Sequence, residues 1–137
     1  MATILLLARA DFVSLHAELH AATSGIMDAD AFARMKPGSF LINTARGGLV
    51  DEAALLAALE DGPLAGAGLD THAIEPLPDD HPMLARDDAL LTPHIGFSAV
   101  ESVAAVNACV ADAVLEALLG RVPRYVVNAD VRAASLG

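Results

Sequence analysis

A chain of 137 residues has room for one modest domain, and with 55 % of them hydrophobic it is not a disordered segment. A formal net charge of −10 repels phosphate backbones and anionic lipid heads, which argues against nucleic-acid and membrane-surface binding. The one cysteine, Cys109, can close no internal disulfide and build no zinc cluster, and it suits a reducing compartment.

In chain order, the apolar run Ile4-Leu5-Leu6-Leu7-Ala8 is stopped by Arg9 and Asp11. It falls well short of the ~20 residues of a membrane span, and no basic region precedes it as in an export signal. The stretch from Val100 to Leu119 carries Glu101, Asn107, Asp112 and Glu116, which a bilayer would not accept unpaired. The expectation is a cytoplasmic protein.

Residues 11–16 form a short β-prone run. Residues 28–35 read as one or two helical turns capped by Asp28 or Asp30, and Pro37-Gly38 breaks them. Ser39-Phe40-Leu41-Ile42-Asn43-Thr44 has the texture of a strand buried on both faces. Gly47-Gly48 marks a turn, and Asp51 caps a helix over 52–59 whose Leu55, Leu56 and Leu59 share one face. After Asp61-Gly62-Pro63 a third strand covers 64–69, its glycines signalling backbone close to a neighbour or a ligand. A Pro-rich loop runs from Thr71 to Arg86, long enough to be functional. A fourth strand covers 89–92, and Ser98 is placed to cap a long helix that Gly120 stops near Leu119. On this reading Cys109 is buried and inert, and the Leu and Val stripe of the last helix is core packing. A tail of irregular texture covers 121–137.

Strands alternating with helices at this spacing specify an α/β fold, a parallel sheet flanked by helices. Ligands of such sheets bind outside the carboxyl ends of the strands. That rule singles out His16, Thr44-Ala45-Arg46, Asp70 and Thr92-Pro93-His94.

Three ordered signatures then stand out: the run from Met35 to Asp51 (MKPGSFLINTARGGLVD), Gly68-Leu69-Asp70 with Glu75-Pro76 beyond, and Leu91-Thr92-Pro93-His94-Ile95-Gly96. Together they resemble the C-terminal half of the NAD-dependent D-2-hydroxyacid dehydrogenases, the family of D-lactate, D-3-phosphoglycerate and glyoxylate/hydroxypyruvate dehydrogenases. The resemblance implies the C-terminal half of a Rossmann-like nucleotide-binding domain over 1–120, with 121–137 a tail that in relatives returns towards the substrate domain. It implies hydride transfer between a nicotinamide and a 2-keto or 2-hydroxy acid, with NAD as cofactor and NADP left open. The catalytic residues it implies are Arg46, Glu75 and His94; the cofactor contacts are Thr44, Ala45, Arg46, Asp70, His94 and Gly96.

The chemistry supports these roles independently. A guanidinium fork suits the substrate carboxylate. An imidazole titrating near working pH can give or take the proton, and an acid on its other nitrogen fixes the tautomer and favours imidazolium. Singly, each of the three residues would read as a surface charge or a turn residue. His16, His20, His72 and His81 receive no chemistry from any matched motif. His72 and Ala73 depart from the aromatic and acid usual in the family after Asp70, and Glu18, where relatives carry Pro, is left out of the site.

The chain has no G-x-G-x-x-G after an opening strand and no acid following a second strand. The expectation is therefore a fragment that binds NAD weakly or not at all on its own. Its 11–16 strand would present an open edge, covered by a homo-oligomer or a separately encoded N-terminal portion. The alternative expectation is a non-catalytic remnant or interaction module derived from the same family.

Overall fold

The computed structural model describes residues 2–127, so the last part of the expected tail, 128–137, lies outside the described residues. Among the described residues four α-helices and four strands follow in the order α1 (Ala2–Leu7), β1 (Phe12–Leu15), α2 (Ala29–Ala33), β2 (Ser39–Asn43), α3 (Glu52–Glu60), β3 (Leu64–Leu69), β4 (Ala89–Leu91) and α4 (Val100–Leu118), with no α-helix between β3 and β4. The chain divides into two compact units after Gly96.

In the first unit the strands form a parallel sheet in the order β1-β2-β3-β4. The register brings Leu15, Asn43, Leu69 and Leu91 onto one line across the sheet. Their successors His16, Thr44, Asp70 and Thr92 therefore leave the sheet at a single edge. Parallel pairing demands crossovers, and caps fix where the helices begin: the Asp28 carboxylate accepts from Ala31 N at 2.8 Å, and that of Asp51 from Ala54 N at 3.1 Å.

The core lies on the face that the helices cover. Val13, Leu41 and Ala67, register partners on neighbouring strands, pack with Phe32, Leu55, Leu59 and Met83. Leu55 and Leu59 are buried and Leu56 only half-buried, so the expected stripe of α3 is its core face with Ala58 added.

The second face differs from expectation. β2 is not buried on both sides: Leu41, Ser39 and Asn43 are fully inside, whereas Phe40 and Ile42 are half-buried. That face continues onto Phe12, 67 % exposed and stacked on Phe40 with ring centroids 5.2 Å apart, and onto Leu90, 74 % exposed. An all-apolar strand reads as doubly covered, but here only side chains alternating toward the helices reach the core. The glycines of β3 face neighbours rather than open space; Gly66 lies against the Asp88 carbonyl and the Phe40 ring. The 71–86 loop holds a turn of 3-10 helix, Pro82–Ala85, with the His81 side chain accepting from Met83 N. Arg86 and Asp88 then form a two-pronged ion pair, 2.8 Å on each arm, ahead of β4. Each holds the other ionised, the Asp88 carboxyl below its ordinary range and Arg86 above.

In the second unit, α4 is Ala-rich and regular, and Gly120 beyond it takes a left-handed φ of 70°. Three expectations fail here. Ala99, not Ser98, is the N-cap, and no side chain caps the helix. No residue of α4 is buried; Val103, Val106, Val110, Val114 and Leu118 are exposed, so the apolar stripe is not core packing. Cys109 is exposed rather than buried. Spacing places residues on one side of a helix, but it does not say whether anything lies against them.

Candidate active site

The site is built at the sheet edge where the strands exit. After β2 the chain turns sharply, and the fully buried Asn43 holds the turn: its Oδ1 accepts from Ala45 N at 3.1 Å and its Nδ2 donates to the Arg46 carbonyl at 2.9 Å. Thr44 and Arg46 are exposed. The Arg46 guanidinium donates to the neighbouring Ala45 carbonyl at 2.6 Å, and no carboxylate pairs with it among the described residues. Gly47 follows with its backbone pressed on the loop beyond β3. A Cβ there would lie 2.0 Å from the His72 carbonyl carbon, so only glycine fits. This packing seats the Arg46 turn beside the loop that carries Glu75.

After β3, Asp70 is 7 % exposed. Its Oδ1 accepts from Thr92 Oγ1 at 2.5 Å and Ile95 N at 3.0 Å, and its Oδ2 accepts from Gly96 N at 2.8 Å. The Thr92 hydroxyl above all, with the Gly96 and Ile95 amides, keeps this carboxyl below its ordinary range against the opposing effect of burial. Gly96 packs so closely that a Cβ would lie 2.8 Å from Oδ2.

Between Thr92 and Ile95 stands His94, with a left-handed φ of 55°. A side-chain-bearing residue held there costs about 1–3 kcal/mol, and the Asp70 clamp on the residues before and after offsets it. His94 Nδ1 lies 2.7 Å from Glu75 Oε2, and Glu75 Oε1 accepts from His72 N at 2.9 Å. The His94 contact chiefly, then the His72 amide, hold the Glu75 carboxyl below its ordinary value. Since a carboxylate only accepts, Nδ1 carries the proton and Nε2 is left for a ligand. The His94 and Glu75 side chains are 35 % and 37 % exposed, open enough to reach. Beside them lies a cavity of about 470 Å³ walled by Pro76, Leu77, Leu84 and Leu91.

Of the residues expected from sequence, His94 bonds Glu75 and Gly96 bonds Asp70, and the two pairs meet along the chain between His94 and Gly96. Thr44, Ala45 and Arg46 occupy the same sheet edge, joined to that group through the Gly47 packing and not by a hydrogen bond. Sequence reasoning missed Asn43 and His72 as holders of the two turns and gave Thr92 a place but no role. A buried polar residue on the last position of a strand, as Asn43 is, was the available signal. His16 bonds Ser14, and His20 accepts from Ala22 N, both local contacts.

Comparison with known proteins agrees with this architecture. Residues 3–96 match the family model described as D-isomer specific 2-hydroxyacid dehydrogenase, NAD binding domain. The chain is 44 % identical over 89 % of its length to chloroplastic D-3-phosphoglycerate dehydrogenase 3 of Arabidopsis thaliana, covering 21 % of that protein. Among solved structures, the TT0316 protein of Thermus thermophilus superposes with a TM-score of 0.89 at 41 % identity, over 92 % of this chain and 40 % of that one. A D-lactate dehydrogenase with NAD+ from Lactobacillus jensenii superposes with a TM-score of 0.83 at 33 % identity, over 91 % and 42 %. The chain thus spans less than half the length of these relatives. No helix among the described residues is long and apolar enough to cross a membrane. A parallel sheet whose strand exits carry the three signatures, matched by the domain model along 3–96, makes this chain a member of the D-isomer specific 2-hydroxyacid dehydrogenase family, within its NAD-binding domain.

Proposed function

We propose that this chain carries the catalytic rim of an NAD-dependent oxidoreductase that interconverts a 2-keto acid and a 2-hydroxy acid. The observation that carries the reading is the His94–Glu75 contact of 2.7 Å, on a histidine whose two following amides, Ile95 and Gly96, are held by Asp70. Arg46 binds the substrate carboxylate through its two-pronged guanidinium. His94 Nε2 donates a proton to the carbonyl oxygen in reduction and withdraws one from the hydroxyl in oxidation. Glu75, ionised, stabilises the imidazolium and keeps Nδ1 the protonated nitrogen in the neutral ring.

The donor set suits a nicotinamide. A carboxylate has about four acceptor positions. Asp70 uses three of them on Thr92, Ile95 and Gly96, which leaves one for a carboxamide N–H. Thr44, Ala45, Arg46, His94 and Gly96 would border the same group. When bound, the reduced cofactor supplies the hydride that reaches the carbonyl carbon. The reading takes NAD as cofactor and leaves NADP open. It also includes a cytoplasmic setting, which one cysteine suits. The assembly partner is a second copy of the chain or a separately encoded N-terminal portion, an idea supported by the single-sided pairing of β1 and the exposed Phe12.

The test is oxidation of NADH, present at millimolar concentration, by the full chain with glyoxylate or hydroxypyruvate. Arg46→Ala and His94→Asn are each expected to lower kcat/KM by about 10²–10⁴-fold. If the wild-type chain turns over nothing, or either variant matches it, the reading gives way to a non-catalytic module of the same family.

A further inference from the structure

We propose that His72 is a positioning residue whose imidazole ties the loop carrying Glu75 to the strand exit carrying His94. The inference rests on the reading of His94 and Glu75 as an acid–base pair and adds what sets the gap between them. His72 is 7 % exposed, with Nε2 3.0 Å from the Thr92 carbonyl oxygen. A carbonyl can only accept, so Nε2 carries the proton and donates. The main-chain N–H of the same residue donates to Glu75 Oε1, while Glu75 Oε2 faces His94. Thr92, whose carbonyl accepts from His72, gives its hydroxyl to Asp70, and Asp70 holds the amides of Ile95 and Gly96, the two residues after His94.

These contacts close a ring running from Glu75 through His72, Thr92 and Asp70 to the Ile95 amide, along the chain to His94 and back to Glu75. Besides the Glu75–His94 contact itself, the side-chain hydrogen bond that joins the 71–77 loop to the exit of β4 among the described residues is that of the His72 imidazole. The charged and titratable groups around the imidazole are Glu75 on its own loop, His94 and Asp70 across the strand exits, Glu52 of α3 on the adjoining Ala73 amide, His81 beside Glu52, and Arg46 ahead of the glycine packed on the His72 carbonyl.

Histidine ring resonances of the full 15N-labelled chain test this without turnover. At neutral pH His72 is expected as the Nε2–H tautomer; the Nδ1–H tautomer overturns the proposal, because a bare nitrogen cannot donate to Thr92. A second arm compares His72→Phe with His72→Gln. Both remove the titrating charge, but the glutamine amide restores a donor at the place of Nε2. The His94 titration midpoint of His72→Phe is expected to fall below that of His72→Gln by about half a pH unit or more, because Glu75 no longer holds its place. Coincident midpoints overturn the proposal. Glu75→Gln separates the two levels. If that variant leaves the His94 midpoint unchanged, the acid–base pair itself fails. If it lowers the midpoint while Phe and Gln at 72 agree, only the role of His72 does.

Discussion

The turn after β2 and the turn after β4 both begin at a threonine just past the same register line, and both reach their proposed catalytic residue two positions later. They treat it differently. Beyond β4, His94 has its ring fixed by Glu75 and its flanking residues fixed by Asp70 in a conformation that side chains rarely adopt. Beyond β2, Asn43 fixes only backbone, and the Arg46 guanidinium is held by one Nη1 bond to the neighbouring Ala45 carbonyl, with no carboxylate paired to it among the described residues. Proton transfer works over a narrow range of angle and distance, so the imidazole gains from being over-determined. An anion clamp gains from reach, because its partner arrives with the substrate and supplies the missing hydrogen bonds.

Three substitutions probe that contrast. The largest effect belongs to Gly47→Ala at the contact between the two plans, where a Cβ would lie 2.0 Å from the His72 carbonyl carbon and 2.4 Å from Ala73 N. Backbone cannot swing aside as a side chain does, so a loss of about 3 kcal/mol or more is expected in urea denaturation. A loss below about 1 kcal/mol would show that the turns are not packed together. Next comes Asp70→Ala, which strands the Thr92 hydroxyl and two amides at a loss of about 2–3 kcal/mol. Amide exchange at Ile95 and Gly96 should speed up while that of Ala45 does not. Asn43→Ala is the mirror experiment, with a loss of about 1–2 kcal/mol and faster exchange at Ala45 alone. Either variant releasing both turns would reduce the two plans to one.

Much of this was legible in the sequence because it depends on local chemistry. Asp28 and Asp51 announced their helices, and the strand rule picked out Thr44, Asp70 and Thr92, which the register then placed on one edge. The roles of Asn43, Thr92 and His72 were hidden, since each depends on which carbonyl or carboxylate a crossover delivers next to it. Residues 20 or more apart make the Asp70 and His72 contacts, and no spacing rule encodes them. The exposed stripe of α4 and exposed Cys109 went astray for the converse reason: periodicity records which side of a helix is apolar, and burial depends on what lies opposite.

The smallest effect expected is a matter of pH, and it sharpens the contrast without moving a backbone atom. Asp70 and Glu75 both have carboxyls held below their ordinary values. In the unfolded chain they take up protons at the ordinary carboxylate range, about pH 4, before the folded chain does. Protons therefore favour unfolding there, and the stability these groups contribute, complete above that range, drains away as pH falls through it toward their folded values. Asp70 should dominate, being buried where Glu75 is partly exposed and screened. Urea midpoints measured from pH 6 down to about pH 3 should fall more steeply for the wild type than for Asp70→Asn, which keeps the shape but has no proton to take up. Arg46→Ala should retain the wild-type slope, because no carboxylate in the described structure leans on that guanidinium. Equal slopes for wild type and Asp70→Asn would mean that the His94 turn is held by something other than this carboxylate, and the difference between the two strand exits would lose its physical basis.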